Sequence, residues 1–455
     1  MIRLRALMAV LAVVLACAAG ASAARVEPAD GARVQAAPAA LRVVVDAPVE
    51  PALARAEVRG PDGAVARRAV VTGADPQAIL VPIPADGPGT YRVAWWGLTT
   101  DGHPVAGRTG FSVRSSTPVA GDVQPAGADD TSPLAIVARF LVLIGVFGTA
   151  GMALAREWSI AGAWDAGGTG PPGSDHAAQV RAAADAHAAR PLGLWWATWW
   201  ALLGAWIAGL VLALPVQAWS TGGQWSALLR DSRWGTAWIG LLVLGVLGGL
   251  AAAVARRAPR SLAPSPARMY ALAVPGLLGA VLLSWSGHAA SGSDATLGVA
   301  IDVLHGWATA AWLGGLVMLL VLCVPLLAAM GAGDRVRFGA AAVVRFSSLA
   351  VAAVVLLVIT GVYRALAELP SLESLWTTDY GVVLLAKLAV FAVMLVIAAW
   401  NRAVLHPRLE RRALGLGAGD ATGTAQLRRS VRAEVALGTV VMALVAVMVG
   451  LMPPT

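Results

Sequence analysis

The sequence predicts a multidomain fold: an Ig-like Greek-key β-sandwich followed by an all-α polytopic membrane bundle of eight transmembrane helices. Three observations predict it. The 455-residue chain is 58% hydrophobic and only 13% charged, whereas about a quarter of the residues in a soluble domain are charged. Short stretches near the start alternate apolar and polar side chains between turn sequences. The remainder contains eight apolar runs long enough to cross a bilayer.

Residues 1–23 have the features of a secretory signal peptide. Arg3 and Arg5 precede an apolar core that begins at Ala6, and small residues at 21–23 provide a cleavage site. Cleavage there would leave Ala24 as the first residue of the mature chain.

Residues 24–115 are predicted to form the β-sandwich. Alternation is clear at 41–46 and 90–95, and turn sequences such as Gly60-Pro61-Asp62-Gly63 and Asp101-Gly102-His103-Pro104 separate the predicted strands. The two cysteines, Cys17 and Cys323, lie in the leader and in an apolar run, so no disulfide framework is expected. A Pro/Gly/Asp-rich linker at 116–131 leads into the membrane domain at 132–455.

The eight apolar runs predict one transmembrane helix each. They lie near 133–155, 192–215, 235–254, 267–288, 299–327, 340–364, 380–401 and 433–452. Arginines concentrate in alternate loops, near 156–190, 255–268 and 330–345 and between the last two runs. The positive-inside rule makes these loops cytoplasmic, so both ends of the mature chain are expected outside. The protein is therefore expected to cross a membrane several times, with its N-terminal domain on the side opposite the cytoplasm.

Two histidines and an aspartate are expected near the outer membrane face. His288 ends the fourth run, and His305 begins the long apolar part of the fifth, with Asp302 three residues before it on the same helical face. Ionisable groups at membrane depth are costly and usually functional. Two facing imidazoles can bind a metal ion or a cofactor, with Asp302 as a third ligand or as the group that orients an imidazole. The simpler alternative is that each histidine is satisfied by a backbone carbonyl or a lipid headgroup.

Three further side chains in the apolar runs are candidates for a transport pathway. Lys387, the only lysine, lies inside the seventh run, and Arg345 lies at the edge of the sixth. A buried ammonium requires a partner or loses its proton, and a structural ion pair is the simpler interpretation. Met318 follows His305 on the same helix, where it could be a soft metal ligand or a packing residue.

The predicted β domain resembles the periplasmic copper-binding protein family CopC over most of residues 26–114. The matching segments are Pro28-Ala29-Asp30-Gly31-Ala32, Gly89-Thr90-Tyr91-Arg92-Val93, Asp101-Gly102-His103-Pro104-Val105-Ala106-Gly107 and Phe111-Ser112-Val113. The resemblance implies a Cu(II) site that uses Asp101 and His103. In that family the mature N-terminal histidine completes the site. This chain departs from that pattern, because no histidine follows the expected cleavage site. We therefore expect a site that is weakened or has lost Cu(II) binding, and the simpler alternative is that His103 is a turn residue that caps a strand.

From about residue 133 onward the chain resembles the CopD copper-resistance membrane family. The matching segments are Ser286-Gly287-His288-Ala289, Asp302-Val303-Leu304-His305, Ala311-Trp312-Leu313-Gly314-Gly315-Leu316, Arg345-Phe346-Ser347, Thr360-Gly361, Tyr380-Gly381, Leu384-Leu385-Ala386-Lys387, Asn401-Arg402, and Arg428-Arg429-Ser430-Val431 with Glu434. A fusion of CopC with CopD is a known arrangement. The resemblance implies copper transport or homeostasis rather than enzymatic catalysis, with the lipid bilayer, copper ions and periplasmic copper carriers as partners.

Two alternative functions remain open from the sequence. Two histidines on facing helices could bind a b-type haem in an electron-transfer protein, and the chain could be a copper sensor or scaffold that transports nothing. The sequence contains no GxxxxGK[ST] motif, so transport would be facilitated or ion-coupled. The residue pattern does not distinguish Cu(I) from Cu(II).

Overall fold

The structure is a computed structural model that describes residues 25–45, 47–63, 65–69, 71–72, 75–84, 87–114, 125–126, 132–165, 175–221, 223–257, 261–290, 294–405 and 422–451. Side chains are described throughout these ranges except at 65–72, 125–126, 176, 405 and 422–424. The predicted signal peptide and most of the predicted linker lie outside the described residues.

The N-terminal domain consists of two β-sheets. The strands are β1 (Arg25–Glu27), β2 (Arg33–Val34), β3 (Ala40–Val44), β4 (Arg55–Arg59), β5 (Val65–Ala69), β6 (Val71–Thr72), β7 (Ala78–Pro82), β8 (Gly89–Leu98), β9 (Pro104–Val113) and β10 (Pro125–Ala126). Among the described residues, one sheet has the strand order β1-β3-β7-β6 and the other β10-β9-β8-β4-β5, with β2 pairing parallel to β9.

One apolar core joins the two sheets. In β3 the apolar residues Leu41 and Val43 are fully buried and alternate with partly exposed neighbours, as the period of a strand with one solvated face requires. They pack with residues of the other sheet, including Tyr91 and Phe111, whose rings stack with centroids 5.2 Å apart. The predicted β-sandwich is confirmed.

Within the described residues, eight helices are long and apolar enough to cross a membrane. This confirms the predicted eight-helix bundle. The spans are α1 (Pro133–Asp165), α3 (Ala189–Ser220), α5 (Arg233–Arg257), α6 (Pro266–Trp285), α7 (Ala295–Ala329), α8 (Ala332–Glu368), α10 (Asp379–Val404) and α11 (Ala425–Met448). Three shorter helices are α2 (Asp175–Ala186), α4 (Trp225–Asp231) and α9 (Ser374–Thr377).

Helix α1 lies inside the bundle, where it packs against α3, α6, α7 and α11. Its closest approach is to α7, where Gly151 faces Gly314. A Cβ atom on Gly151 would lie 1.8 Å from the carbonyl oxygen of Ala310. Only glycine therefore fits, as is typical where membrane helices cross at short distance.

The end of α6 differs from the boundary predicted from the sequence, and this difference affects the position of His288. The fourth span was predicted to end at His288, but α6 ends at Trp285 and His288 begins a short 3-10 turn, His288–Ala290. His288 is thereby carried beyond the helix toward the β domain.

The β domain rests on the end of the bundle that carries His288. Leu53 and Leu98 of the β domain share an apolar cluster with Ala218, near the end of α3, and Leu228 of α4. Polar contacts also join the two parts: Gln217 donates a 2.7 Å hydrogen bond to the carbonyl oxygen of Gly102.

Candidate metal site at the domain boundary

A tight turn between β8 and β9 positions Asp101 and His103. The backbone N–H of Gly102 donates to the carbonyl of Thr99 at 2.9 Å, and that of Thr99 donates to the carbonyl of His103 at 2.8 Å. Gly102 has a φ of +89°, which favours glycine. The Thr99 hydroxyl accepts from the backbone N–H of His103 at 2.9 Å and donates to the Asp101 carboxylate. The sequence Thr-Thr-Asp-Gly-His thus fixes both candidate ligands relative to the strand ends.

The turn that carries His288 is fixed by Arg233, the first residue of α5. The Arg233 guanidinium donates to the carbonyl oxygens of Trp285 at 2.7 Å and Ala290 at 3.4 Å, on either side of His288. Its backbone N–H donates to Glu50 of the β domain at 3.2 Å. One residue therefore connects the His288 turn to the docked β domain.

These two turns bring Asp101, His103 and His288 together, and we call these three residues the capture cluster. His288 Nε2 lies 3.0 Å from His103 Nε2, and His288 Nδ1 lies 2.7 Å from Asp101 Oδ2. One ligand atom from each side chain lies within 4.8 Å of the other two. Among the described residues this is the only such group of three or more histidine, cysteine or acidic side chains.

The capture cluster is shielded from solvent. Asp101 is 8% exposed and His103 5% exposed. Burial by itself would raise the pKa of the Asp101 carboxyl. Its hydrogen bonds to His288 and Thr99, together with the nearby imidazoles, outweigh burial and hold the pKa below its usual value. Asp101 is therefore an ionised carboxylate at neutral pH.

Comparison with known families decides what the two parts are. Residues 24–114 match the family described as "CopC domain", and residues 340–448 match "Copper resistance protein D", CopD. The chain is a CopC domain fused to a CopD copper resistance membrane domain. It belongs among the copper resistance and transport proteins.

Two curated relatives match about half of the chain. The chain is 29% identical over 266 residues to "Copper resistance protein D" of Pseudomonas syringae pv. tomato, which covers 54% of this chain and 79% of that protein. It is 29% identical over 255 residues to "Copper transport protein CutJ" of Bacillus subtilis (strain 168), covering 54% of this chain and 43% of that protein. The match therefore spans less than half of the Bacillus protein.

Solved structures resemble the CopC domain. CopC from Methylosinus trichosporium OB3b is 25% identical, with 21% of this chain and 94% of that chain covered and a TM-score of 0.19. PcoC from Escherichia coli is 26% identical, with 20% and 95% covered and a TM-score of 0.17.

The spacing of the two imidazoles in the capture cluster fits one metal ion. Two nitrogens that each bind a metal at about 2.0 Å are about 2.8–3.3 Å apart in tetragonal or tetrahedral geometry, and the observed Nε2–Nε2 distance is 3.0 Å. The rings are nearly parallel, at 14°. Because each nitrogen lone pair lies in its ring plane, the rings must turn for both to point at one ion. Asp101 can orient His288 through Nδ1 or become a ligand itself.

The two domains contribute unequally to the cluster. Asp101 and His103 come from the CopC domain, and His288 comes from the turn after α6, 187 residues beyond Asp101. The sequence placed all three residues at the outer face but expected His288 to face His305 and Asp302. It did not predict that His288 contacts the CopC domain.

Asp302 and His305 lie deeper in the bundle with other partners. Asp302 forms an ion pair with Arg364 of α8, which also pairs with Glu368 at 2.6 Å. His305 Nδ1 lies 2.8 Å from the hydroxyl of Thr360. The structure thus differs from the expected grouping: the cluster around His288 does not include Asp302 or His305, because α8 supplies closer partners for both.

Sequence analysis did not single out Arg364. The sixth apolar run was predicted to end at 364, whereas α8 continues to Glu368. The i,i+4 spacing of Arg364 and Glu368 is the signal that could have indicated a helical ion pair there. Tyr380 of α10 donates its hydroxyl to Glu368, so the network connects α7, α8 and α10.

The three pathway candidates lie in different parts of the CopD domain. Lys387 of α10 is within electrostatic range of His305, Arg364 and Glu368. Met318 is fully buried in the main apolar core of the bundle. Arg345 of α8 is half-buried, and its guanidinium packs against Gly162 near the end of α1.

Proposed function

We propose that this chain is a multi-pass protein of the bacterial cytoplasmic membrane that captures copper on its outer face and passes it inward through the helix bundle. The observation that carries the proposal is the contact of His288, from the CopD domain, with both Asp101 and His103 of the CopC domain. A metal ion bound there is held by both domains at once, which is what transfer between them requires.

The orientation follows from the charges at the two ends of the bundle. The arginine-rich ends of α5 and α6, with Arg256, Arg257 and Arg268, lie opposite the end that carries His288. By the positive-inside rule the arginine-rich end is cytoplasmic. The CopC domain and the capture cluster then lie on the periplasmic or extracellular side, where periplasmic copper carriers can reach them.

In this proposal His288 takes the place of the N-terminal histidine that the CopC family uses as a ligand. The CopC family uses three protein residues, and this chain has only Asp101 and His103 within the domain. The imidazole of His288 supplies the third donor from the membrane domain. Imidazole and carboxylate donors suit Cu(II) in a tetragonal arrangement, so Cu(II) is the form that we expect this cluster to capture.

Candidate groups for inward transfer follow in order along the bundle. His305 lies ten residues after the start of α7 at Ala295, a distance of about 15 Å along the helix. Asp302 and His305, with Lys387 close by, come first after the capture cluster. Met318 lies about 20 Å beyond His305 on the same helix. Its thioether suits Cu(I) rather than Cu(II), so it serves this route only for copper that reaches it already reduced. Arg345 lies nearer the cytoplasmic end.

Copper uptake into proteoliposomes tests the proposal. We expect wild-type protein to accelerate uptake, and His288→Ala and His305→Ala each to reduce it, with His187→Ala as the control because His187 is exposed on the opposite side of the bundle. His305→Ala should retain copper binding at the capture cluster. Uptake that is equal in all variants would exclude transport through this route, and copper binding without uptake would indicate a sensor or scaffold. A Soret band in the purified protein would favour the haem alternative.

A further inference from the structure

A polar cavity lies at the end of the bundle opposite the capture cluster, the end that the proposed orientation makes cytoplasmic. It has a volume of about 350 Å³ and lies between α1, α3, α5 and α6. Its lining includes Arg156, Arg256, Arg268, Trp196, Trp200 and Ser261. It opens near the first turn of α6, whereas the capture cluster follows the last turn of the same helix. The 20 residues of α6 separate the two by about 30 Å.

Arg156 at the base of this cavity is a buried cation with too few partners. It is 3% exposed. One guanidinium nitrogen donates to the carbonyl oxygen of Ser261 at 2.5 Å, and the guanidinium lies 4.6 Å from the centre of the Trp195 ring. Its Nε has no acceptor among the described residues. A buried guanidinium without an anion is costly, since burial of a charge is offset only by pairing and hydrogen bonding.

No carboxylate in the described part of the chain neutralises Arg156. Glu157 is adjacent in sequence and interacts with Arg156 at longer range. It forms no ion pair within 4.0 Å among the described contacts, and its Oε2 atom is itself buried without a donor. The lining residues of the cavity include no aspartate or glutamate. The cavity is therefore positively charged and supplies donors rather than acceptors.

The walls of the cavity add further donors. The indole N–H of Trp200 has no acceptor among the described residues. Arg256 and Arg268 are exposed at the mouth, and the Arg256 guanidinium lies 6.0 Å from the centre of the Trp196 ring. An anion with several acceptor oxygens could satisfy both the buried and the exposed donors in one place.

We infer that this cavity binds a phosphate-class oxyanion, with Arg156 at its base and Arg256 and Arg268 at its mouth. Arginine suits this ligand because its planar fork of N–H donors matches the oxygens of a phosphate. The ligand is either the headgroup of an anionic phospholipid or a free phosphate. Basic pockets between transmembrane helices on the cytoplasmic side bind anionic headgroups, and tryptophans line such membrane boundaries.

Exposed arginines near the cytoplasmic face are expected from the positive-inside rule alone. Arg256 and Arg268 by themselves would therefore indicate nothing more. Arg156 differs because it is buried below them, lacks a carboxylate partner among the described residues and lines the same cavity. A general attraction to the membrane surface does not account for a buried guanidinium.

The test compares Arg256→Gln and Arg268→Gln with Arg257→Gln. Arg257 is exposed on the same last turn of α5 but does not line the cavity. Full-length protein is delipidated in detergent, and its melting temperature is measured with phosphatidylglycerol, phosphatidylcholine or inorganic phosphate. Native mass spectrometry counts the retained lipids. Each protein is compared with its own ligand-free state, so that a loss of stability is not mistaken for a loss of binding.

We expect phosphatidylglycerol to stabilise the wild type and Arg257→Gln, with binding about tenfold weaker in Arg256→Gln and Arg268→Gln, the effect of losing one charge-assisted hydrogen bond. Stabilisation by phosphatidylglycerol alone assigns the site to a lipid headgroup. Equal stabilisation by inorganic phosphate assigns it to a free oxyanion. The inference is overturned if neither ligand stabilises the protein, or if all three variants respond as the wild type does.

Discussion

His288 and His103 face each other across the boundary of the two domains, with their Nε2 atoms 3.0 Å apart although 185 residues separate them in sequence. This contact makes metal binding and domain docking interdependent. Under the proposed copper binding, an ion held by both imidazoles would stabilise the docked arrangement, and docking would in turn supply a third donor beside Asp101 and His103. Copper affinity should therefore depend on residues that hold the domains together as well as on the ligands.

Replacing His288 should weaken copper binding more than replacing His305. His288→Ala removes one of the two imidazoles of the capture cluster, and the loss of even a residue that orients a ligand costs about 10- to 100-fold in metal affinity. His305→Ala leaves the cluster intact. Competition with a copper chelator on the purified full-length protein measures both affinities. An affinity for His288→Ala equal to that of the wild type would show that copper is held elsewhere.

Asp101 should make the stability of the docked protein depend on pH. Its folded-state pKa lies below the ordinary value of 3.8, so its contribution is fully present above that value and is lost as the pH falls through the folded pKa. The loss amounts to about 1.4 kcal/mol for each unit by which the pKa is lowered. Asp101→Asn replaces the carboxylate with an amide that does not titrate. The stability of this variant should therefore not show this loss at acid pH.

Thermal denaturation from pH 7 down to pH 2 measures the difference between Asp101→Asn and the wild type, because the loss begins near the ordinary pKa of 3.8 and continues toward the lower folded-state pKa. Asp231→Asn, at an exposed position, is the matched control and should follow the wild type. Parallel curves for Asp101→Asn and the wild type below pH 4 would contradict a lowered pKa at Asp101.

The helices and strands could be predicted from sequence because their signals are local. The eight spans follow from apolar runs of sufficient length, and the strands of the β-sandwich follow from period-two alternation. The predicted and observed helices differ mainly at their ends, as at Trp285 and Glu368. The reason is that the run of apolar residues stops after the helix in the first case and before the helix in the second.

The candidate site could be predicted only in its parts. Asp101, His103 and His288 were each identified, and charge placed them on the same side of the membrane. That His288 contacts the CopC domain rather than His305 depends on how the domains dock, which involves Gln217, Arg233 and a small apolar cluster. No local pattern encodes contacts between side chains 185 and 187 residues apart.

Gly102→Ala should weaken both docking and copper binding. The positive φ of Gly102 costs an L-residue about 1–2 kcal/mol, and a Cβ atom there would lie 3.1 Å from Trp234 of α5. The turn that aims Asp101 and His103 at His288 would shift away from the bundle. Copper affinity and melting temperature should both fall. Gly63→Ala is the control, since Gly63 also has a positive φ but nothing lies within 4 Å of its added Cβ.

Gly63→Ala should therefore destabilise the fold through backbone strain without weakening the docking of the two domains. It should lower the melting temperature while leaving copper affinity unchanged. If both glycine variants bound copper as the wild type does, the geometry of the Asp101 turn would not determine affinity.

Arg364 should be the most important single residue for the stability of the inner polar network. Its guanidinium pairs with Asp302 and Glu368 in the membrane region. Arg364→Ala leaves two partly buried carboxylates without their cation, and breaking a buried pair in this way costs about 3–5 kcal/mol. Tyr380→Phe removes only the hydroxyl that donates to Glu368 and should cost about 1 kcal/mol.

Thermal denaturation in detergent compares these two variants with Arg364→Ala combined with Asp302→Asn and Glu368→Gln. Because the triple variant removes the unpaired charges together with the cation, it should recover much of the stability that Arg364→Ala loses. This recovery separates an electrostatic cost from the loss of side-chain packing. If the triple variant were as unstable as Arg364→Ala, packing around the guanidinium stem, rather than charge pairing, would account for the role of Arg364.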